Sequence, residues 1–272
     1  MSAGAAGGIH PTAVIHPTAK LDPSVTVGPH AVIGEDVTIG AGSSLGAHVV
    51  VERATLGKNC RLYPGCFVGT APQDLKYKDE PTRLVMGDNC TVRECVTLNR
   101  GTTATGETRI GNNCLFMAYS HVAHDCRVGN GVILVNCVPL AGHVEVGDFA
   151  VLGGLCAVHQ FVRIGRFVMA SGGSMIGKDV PPFCTCQGDR ATLRGLNNVG
   201  LRRSGMTRET IGAIKDAYKT LYMSGLLLAD ALKKLQASGG PAEVLEMAAF
   251  IEKSKRGVMR PAGGSETEEE AG

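Results

Sequence analysis

Four of the chain's eight histidines, His121, His124, His143 and His159, fall within one short band, and Asp125 directly follows one of them. A neutral imidazole can take a proton from a hydroxyl, and a carboxylate beside it can hold the ring in one tautomer. His124 with Asp125 is therefore the first candidate for a general base, although adjacency in sequence leaves open whether the carboxylate reaches the ring. Scattered solvent-facing imidazoles would carry no such meaning; half of the histidines in one band point to a site.

The elements around this band repeat. From Ile110 an apolar residue recurs every six positions, through Phe116, Val122, Val128, Leu134, Leu140 and Val146 to Ile176, with small residues such as Cys114, Ser120, Cys126 and Val132 four positions after each. A second set runs from Ile9 to Val51. A period of six fits neither an amphipathic helix nor one long strand, and it is the signature of a parallel β-helix, in which each hexad is a short strand and a corner. Glycines after the apolar residue, including Gly111 and Gly147, are expected to supply a permissive backbone at the corners. Cys60, Cys66, Cys90, Cys114, Cys126 and Cys156 occupy the small inward slot and read as core filler, and the single C-x-C at Cys184 and Cys186 is weak evidence for metal.

Composition agrees with a soluble globular chain: 272 residues, 44% hydrophobic and 19% charged, which excludes general disorder. With 37 glycines, five tyrosines, seven phenylalanines and no tryptophan, the core must be aliphatic. A net charge of +2 is too mild for a nucleic-acid binder, and no integral membrane contact is expected. The opening MSAGAAGGIHPTAVIH has no basic n-region and no continuous apolar stretch, which suggests a cytoplasmic protein.

The expected organisation is a flexible N-terminus at 1–8, a β-helix over 9–183, a connector and helical domain over 184–260, and a disordered acidic tail at 261–272. Two interruptions break the repeat, at about Thr70–Arg83 and Asn99–Arg109, and insertions in a solenoid usually map to a binding face. Thr207 reads as an N-cap, a further helix begins near Pro241, and Ser238-Gly239-Gly240 separates helices. Gly172 to Lys178 matches G-x-x-x-x-G-K, but Asp179 replaces the magnesium-binding hydroxyl and no strand-to-helix context exists, so a P-loop is rejected.

QDLKYKDEPTR at Gln73–Arg83, SHVAHDC at Ser120–Cys126, LAGHV at Leu140–Val144, AVHQF at Ala157–Phe161, DVPPF at Asp179–Phe183 and LRRSG at Leu201–Gly205 together resemble the UDP-N-acetylglucosamine acyltransferases of lipid A synthesis, over nearly the whole chain. The resemblance implies a homotrimer of all-β, left-handed parallel β-helices, each followed by a small α-helical C-terminal domain, with active sites between subunits. It also implies a triangular coil of three hexads. On that geometry His124, Gly142 and Gln160 form one column, Asp125 lies beneath His143, and the Gly142 N–H becomes a candidate oxyanion donor.

The implied reaction transfers a 3-hydroxyacyl chain from acyl carrier protein to the glucosamine 3-hydroxyl of UDP-N-acetylglucosamine (UDP-GlcNAc), with no metal or dissociable cofactor. His124 would be the base and Gly142 the oxyanion donor, with Asp125 beside the base. Asp74 and Lys76, with Gln73 nearby, would contact sugar and phosphates. His121, His143, His159 and Gln160 would line the site, and Asn197 and Arg203 would hold the nucleotide. Gly172 matches the position that can close the acyl channel, so its missing side chain hints at a long acyl group, with Arg190 also able to shape the channel. Basic residues such as Arg202, Lys215, Lys219, Lys233 and Lys234 could steer the acidic carrier. Val199 and Ser204 depart from the family's frequent glutamate and arginine. Three alternatives stay open: N-acylation of a 3-amino sugar nucleotide, a zinc-dependent β-helix carbonic anhydrase, and a non-enzymatic scaffold.

Overall fold

The protein is described here by a computed structural model covering residues 8–262. Residues 1–7 and 263–272, which include nearly all of the expected flexible N-terminus and acidic tail, lie outside the described residues. Pro261, the first residue assigned to that tail, forms a bridge with Leu193.

Most hexads fold as a two-residue strand followed by a corner, as in Leu115–Phe116, His121–Val122 and Arg127–Val128. Strands stack on the coil above and below in parallel, pairing Leu115 with Ile133, His121 with Pro139 and Arg127 with Glu145. Partners are therefore three hexads apart, and the chain winds through three sheets of nine, eight and ten strands. This is a parallel β-helix. Its interior is the apolar residue of each hexad together with the small one: Phe116, Val122, Leu134, Leu140, Cys126 and Cys156 are fully buried. Cys184 and Cys186 are buried as well, within a strand that extends the ten-stranded sheet.

The glycine expectation needs correction. Neither Gly111 nor Gly147 is among the positive-φ glycines. A Cβ at Gly111 would lie 2.7 Å from the Gly129 carbonyl carbon, and one at Gly147 would lie 2.5 Å from the Arg166 nitrogen. These positions are glycine because adjacent coils approach closely there. The left-handed conformation falls two residues further on and is borne mostly by other residue types, among them Asn113, Asp125, His143, Phe149 and Phe161.

Both interruptions are loops whose ends are paired. Strands Phe67–Thr70 and Arg83–Met86 flank the first; Thr97–Asn99 and Glu107–Ile110 flank the second. Residues 107–109, assigned above to the second interruption, are strand, because Arg83–Met86 pairs with Glu107–Ile110 in full register.

After the coils, Cys184–Gln187 and Thr192–Leu196 form an antiparallel hairpin on the top edge of the ten-stranded sheet. Helices α1 (Asn198–Arg203), α2 (Arg208–Tyr222), α3 (Leu228–Ala237) and α4 (Ala242–Glu252) follow. Thr207 caps α2 by accepting from the Thr210 N–H, and Pro241 immediately precedes α4. The helices pack through Leu201, Ile214, Leu221, Leu235 and Met247 onto Phe183. None of the described helices is long and apolar enough to cross a membrane.

Candidate active site

His124, Gly142 and Gln160 occupy the first position of one corner on successive coils, and Asp125, His143 and Phe161 occupy the second. The three second-position residues share a left-handed φ near 60° (61°, 60° and 66°), and the coils are tied there by His143 N–H to the His124 carbonyl (3.0 Å) and Phe161 N–H to the Gly142 carbonyl (3.1 Å). Repetition of the corner is what brings a histidine of one coil onto the carboxylate of the next.

Asp125 reaches the ring. Its Oδ2 lies 2.7 Å from His124 Nδ1 and 3.7 Å from His143 Nε2, and its side chain is fully buried. Burial alone would raise this carboxyl, but hydrogen bonds from Thr105, Thr102 and His124 outweigh it and hold the group down at about 2. The ionised carboxylate can only accept, so His124 must donate from Nδ1, which leaves the Nε2 lone pair as the base.

Gly142 is required by the ring: a Cβ there would sit 2.7 Å from His124 Cε1 and Nε2. The residue is buried, and its N–H has no hydrogen-bond partner among the described residues. His143 stands edge-on to His124 at 5.2 Å between centroids and stacks on Phe161 at 4.6 Å. Burial lowers its basicity, as it does for His121, so both favour the neutral form. His121 occupies a strand of the same coil and pairs through Nδ1 with Thr97 Oγ1 at 2.6 Å.

The first loop presents Gln73, Asp74 and Lys76. Gln73 and Lys76 are exposed, Asp74 accepts from the Lys76 N–H at 2.9 Å, and the Asp74 charge is felt at His143. The loop is anchored by a residue not singled out by sequence reasoning. Arg100, with a side chain only 5% exposed, donates to Tyr77 Oη, Asp79 and the Gly69 carbonyl. Asn99 adds a bond to the Ala71 carbonyl at 3.0 Å. Thr102 and Thr105, which bind Asp125, were also missed; the run of threonines in the second loop was their only trace in the sequence.

Other predicted residues lie elsewhere on the chain. His159 and Arg190 line a separate cavity of about 900 Å³ beside Met175 and Met259. Gly172 is not among its lining residues; a Cβ there would press on the Gly154 carbonyl at 3.1 Å. Asn197 uses both side-chain atoms structurally, accepting from the Gly200 N–H to cap α1 and donating to the Phe167 carbonyl, each at 2.9 Å. Arg203, in the last turn of α1, is exposed and has no polar partner among the described residues. A cavity of about 680 Å³ adjoins Asp125, His143 and Phe161 and is bordered by Arg127, Lys253 and Lys255.

One donor atom each from His124, Asp125 and His143 fits within 4.8 Å, a spacing that a metal ion could bridge. The carboxylate argues against it. Asp125 Oδ1 accepts from Thr102 N and Thr105 Oγ1, and Oδ2 from Thr102 Oγ1 and His124, so no lone pair remains directed at an ion.

Comparison with known proteins identifies the family. A family model described as UDP N-acetylglucosamine O-acyltransferase, domain 2, matches residues 179–259; a bacterial transferase hexapeptide model matches 107–138, and a GMPPB C-terminal domain model matches 7–108. An acyl-(acyl-carrier-protein)–UDP-N-acetylglucosamine O-acyltransferase from Anaeromyxobacter sp. is 50% identical over 210 residues, covering 76% of this chain and 82% of that protein. The chain belongs to the UDP-N-acetylglucosamine O-acyltransferase family. The enzyme of the same name from Myxococcus xanthus is 51% identical over 76% of this chain and 81% of its own length. The solved structure of the Francisella novicida UDP-N-acetylglucosamine acyltransferase superposes with a TM-score of 0.92 at 37% identity, covering 97% of this chain and 99% of that one.

Because the folded Asp125 carboxyl sits at about 2, below the ~3.9 of a free side chain, its ionised form stabilises the fold fully above about pH 4, and that contribution drains away as pH falls through 2. Asp125→Asn is therefore expected to be less stable than the parent at pH 7, with the gap narrowing from pH 4 toward pH 2. Denaturant unfolding at a series of pH values measures it, and a gap that does not vary with pH would contradict the assignment.

Proposed function

We propose that the protein moves a 3-hydroxyacyl chain from acyl carrier protein to the glucosamine 3-hydroxyl of UDP-GlcNAc, the first step of lipid A synthesis, in the cytoplasm. The observation that carries this reading is the His124–Asp125 pair, with Nε2 left as the base, beside a Gly142 N–H that has no partner among the described residues. Family membership supplies the substrates.

His124 Nε2 takes the proton of the sugar hydroxyl as its oxygen attacks the thioester carbonyl carbon. The new C–O bond leaves a tetrahedral oxyanion, which the Gly142 N–H stabilises. Collapse breaks the C–S bond, and the departing carrier thiolate recovers the proton from Nε2. Asp125 stays ionised throughout and stabilises the imidazolium. The residues in this sequence of steps need no metal or dissociable cofactor. Gln73, Asp74 and Lys76 meet the sugar and phosphates, and His121, His143 and Gln160 border the acceptor. His159 also borders the substrates, and Gly172 and Arg190 shape the acyl channel.

The working form is a homotrimer of left-handed β-helices with active sites between subunits, and Asn197 and Arg203 hold the nucleotide. One outward row of the nine-stranded sheet supports this. Val14, Val32, Phe67 and Met175 are 40–62% exposed, and they share that row with His121. Such an aligned apolar row favours burial against another copy. On the helices, Lys219 and Lys233 pair with Asp216 and Asp230, which leaves Arg202, Arg203, Lys215 and Lys234 to attract the acidic carrier.

Incubation of the purified protein with UDP-GlcNAc, its 3-amino analogue and a panel of 3-hydroxyacyl carrier proteins, read by mass spectrometry, tests the reaction. Product from UDP-GlcNAc is expected; product from the analogue alone would move the assignment to N-acylation, and no product with stoichiometric zinc would favour the metalloenzyme. His124→Ala should keep the oligomer and lose at least nine-tenths of turnover, on the order of the 10²–10⁴-fold contribution typical of a general base. Val32→Glu with Phe67→Glu should sediment as a monomer with little activity, whereas a trimer of normal activity would remove this row from the interface.

A further inference from the structure

The second loop reaches the carboxylate that orients the base. Thr102 and Thr105 project from it onto the Asp125 carboxylate. Thr102 bonds the carboxylate twice, through its N–H to Oδ1 at 2.9 Å and through its hydroxyl to Oδ2 at 2.7 Å. Thr105 donates its hydroxyl to Oδ1 at 2.5 Å. A further threonine, Thr108, fully buried, accepts from the Asp125 N–H at 2.9 Å and so fixes the backbone from which the carboxylate projects.

We propose that Thr102 and Thr105 are positioning residues for the acyl-transfer reaction: they clamp the Asp125 carboxylate in the plane that presents Oδ2 to His124 Nδ1 and so keep Nε2 free to act as the base. The inference rests on the acyltransferase reading, since the base it protects is the one assigned there. Two oxygens can receive about four donors, and three of the four come from this loop. Without them the carboxylate can rotate about its χ2 bond, and its alignment with the ring becomes one orientation among several. Unpaired, it would also sit in a buried site with its charge less compensated, which raises its pKa. Neither threonine is assigned a contact with the reacting atoms; each acts through Asp125.

Thr102→Val and Thr105→Val replace a hydroxyl by a methyl of similar shape. Each is expected to lower kcat by about tenfold with KM within about twofold of the parent, and Thr102→Ser and Thr105→Ser, which retain the hydroxyl, should recover most of it. Thr103→Val, an exposed neighbour with no polar partner among the described residues, should leave both constants unchanged. Nitrogen-15 NMR of His124 supplies a second readout that does not need activity: the parent ring should show protonated Nδ1 and unprotonated Nε2, and the valine variants a mixture of tautomers. Unchanged kcat together with an unchanged tautomer in folded valine variants would overturn the proposal. So would a loss that serine does not recover. Should the parent transfer no acyl group to any acceptor, the acyltransferase reading fails, and an unaltered tautomer in the variants would separately reject the clamp; an altered one would uphold it.

Discussion

Everything in this protein depends on the hydrogen bonding of one coil to the next at a spacing of three hexads. A parallel strand of two residues has almost no stability alone; it persists because each N–H and C=O is paired to the coil above and below while its apolar residue joins a continuous column. The same spacing aligns the corners. Once His124, Gly142 and Gln160 share one column, and Asp125, His143 and Phe161 the next, contacts between residues far apart in sequence follow from the winding of the chain.

The site exploits the limits of that regularity. At its corner the close approach of two coils would crush any side chain at residue 142 against the imidazole, and the glycine there leaves a backbone N–H without a partner among the described residues, the group proposed to meet a developing oxyanion. The left-handed turn at residue 125 points a carboxylate back toward the ring that precedes it. Burial would ordinarily neutralise such a carboxylate. Donors from a loop outside the repeat reverse that outcome, because several short hydrogen bonds to one ionised group are worth more than the desolvation they offset.

The two loops act as one unit. Asn99 and Arg100 begin the second loop and hold the first, through the Ala71 carbonyl, Tyr77 and Asp79, and a few residues later the same segment reaches Asp125. A buried guanidinium with its donors distributed among several acceptors is a rigid anchor. The segment carrying Gln73, Asp74 and Lys76 is thereby tied to the coil that carries the base, so the groups expected to bind the acceptor and the group expected to deprotonate it are set by a common framework.

Much of this was legible in the sequence, because a solenoid turns local order into contacts: a period of six names the inward residues, and adjacency plus stacking selects His124, Asp125 and His143. The helical caps at Thr207 and the break before Pro241 were legible for the same local reason. What spacing left open was whether Asp125 reaches the ring, since a neighbour in sequence can point either way; the left-handed backbone at Asp125 and the donors from Thr102 and Thr105 decide it. The role of the hexad glycines was misread because φ and close approach leave the same letter in the sequence. Arg100 and the threonines could not be found at all, as loops carry no period and their partners lie on other coils. The sequence by itself determined the repeating coil and its core, and the column that holds the base followed only with the three-hexad turn that the resemblance implied. Only the tertiary structure decided which tautomer that base adopts, because that depends on donors converging on one buried carboxylate from a segment outside the repeat.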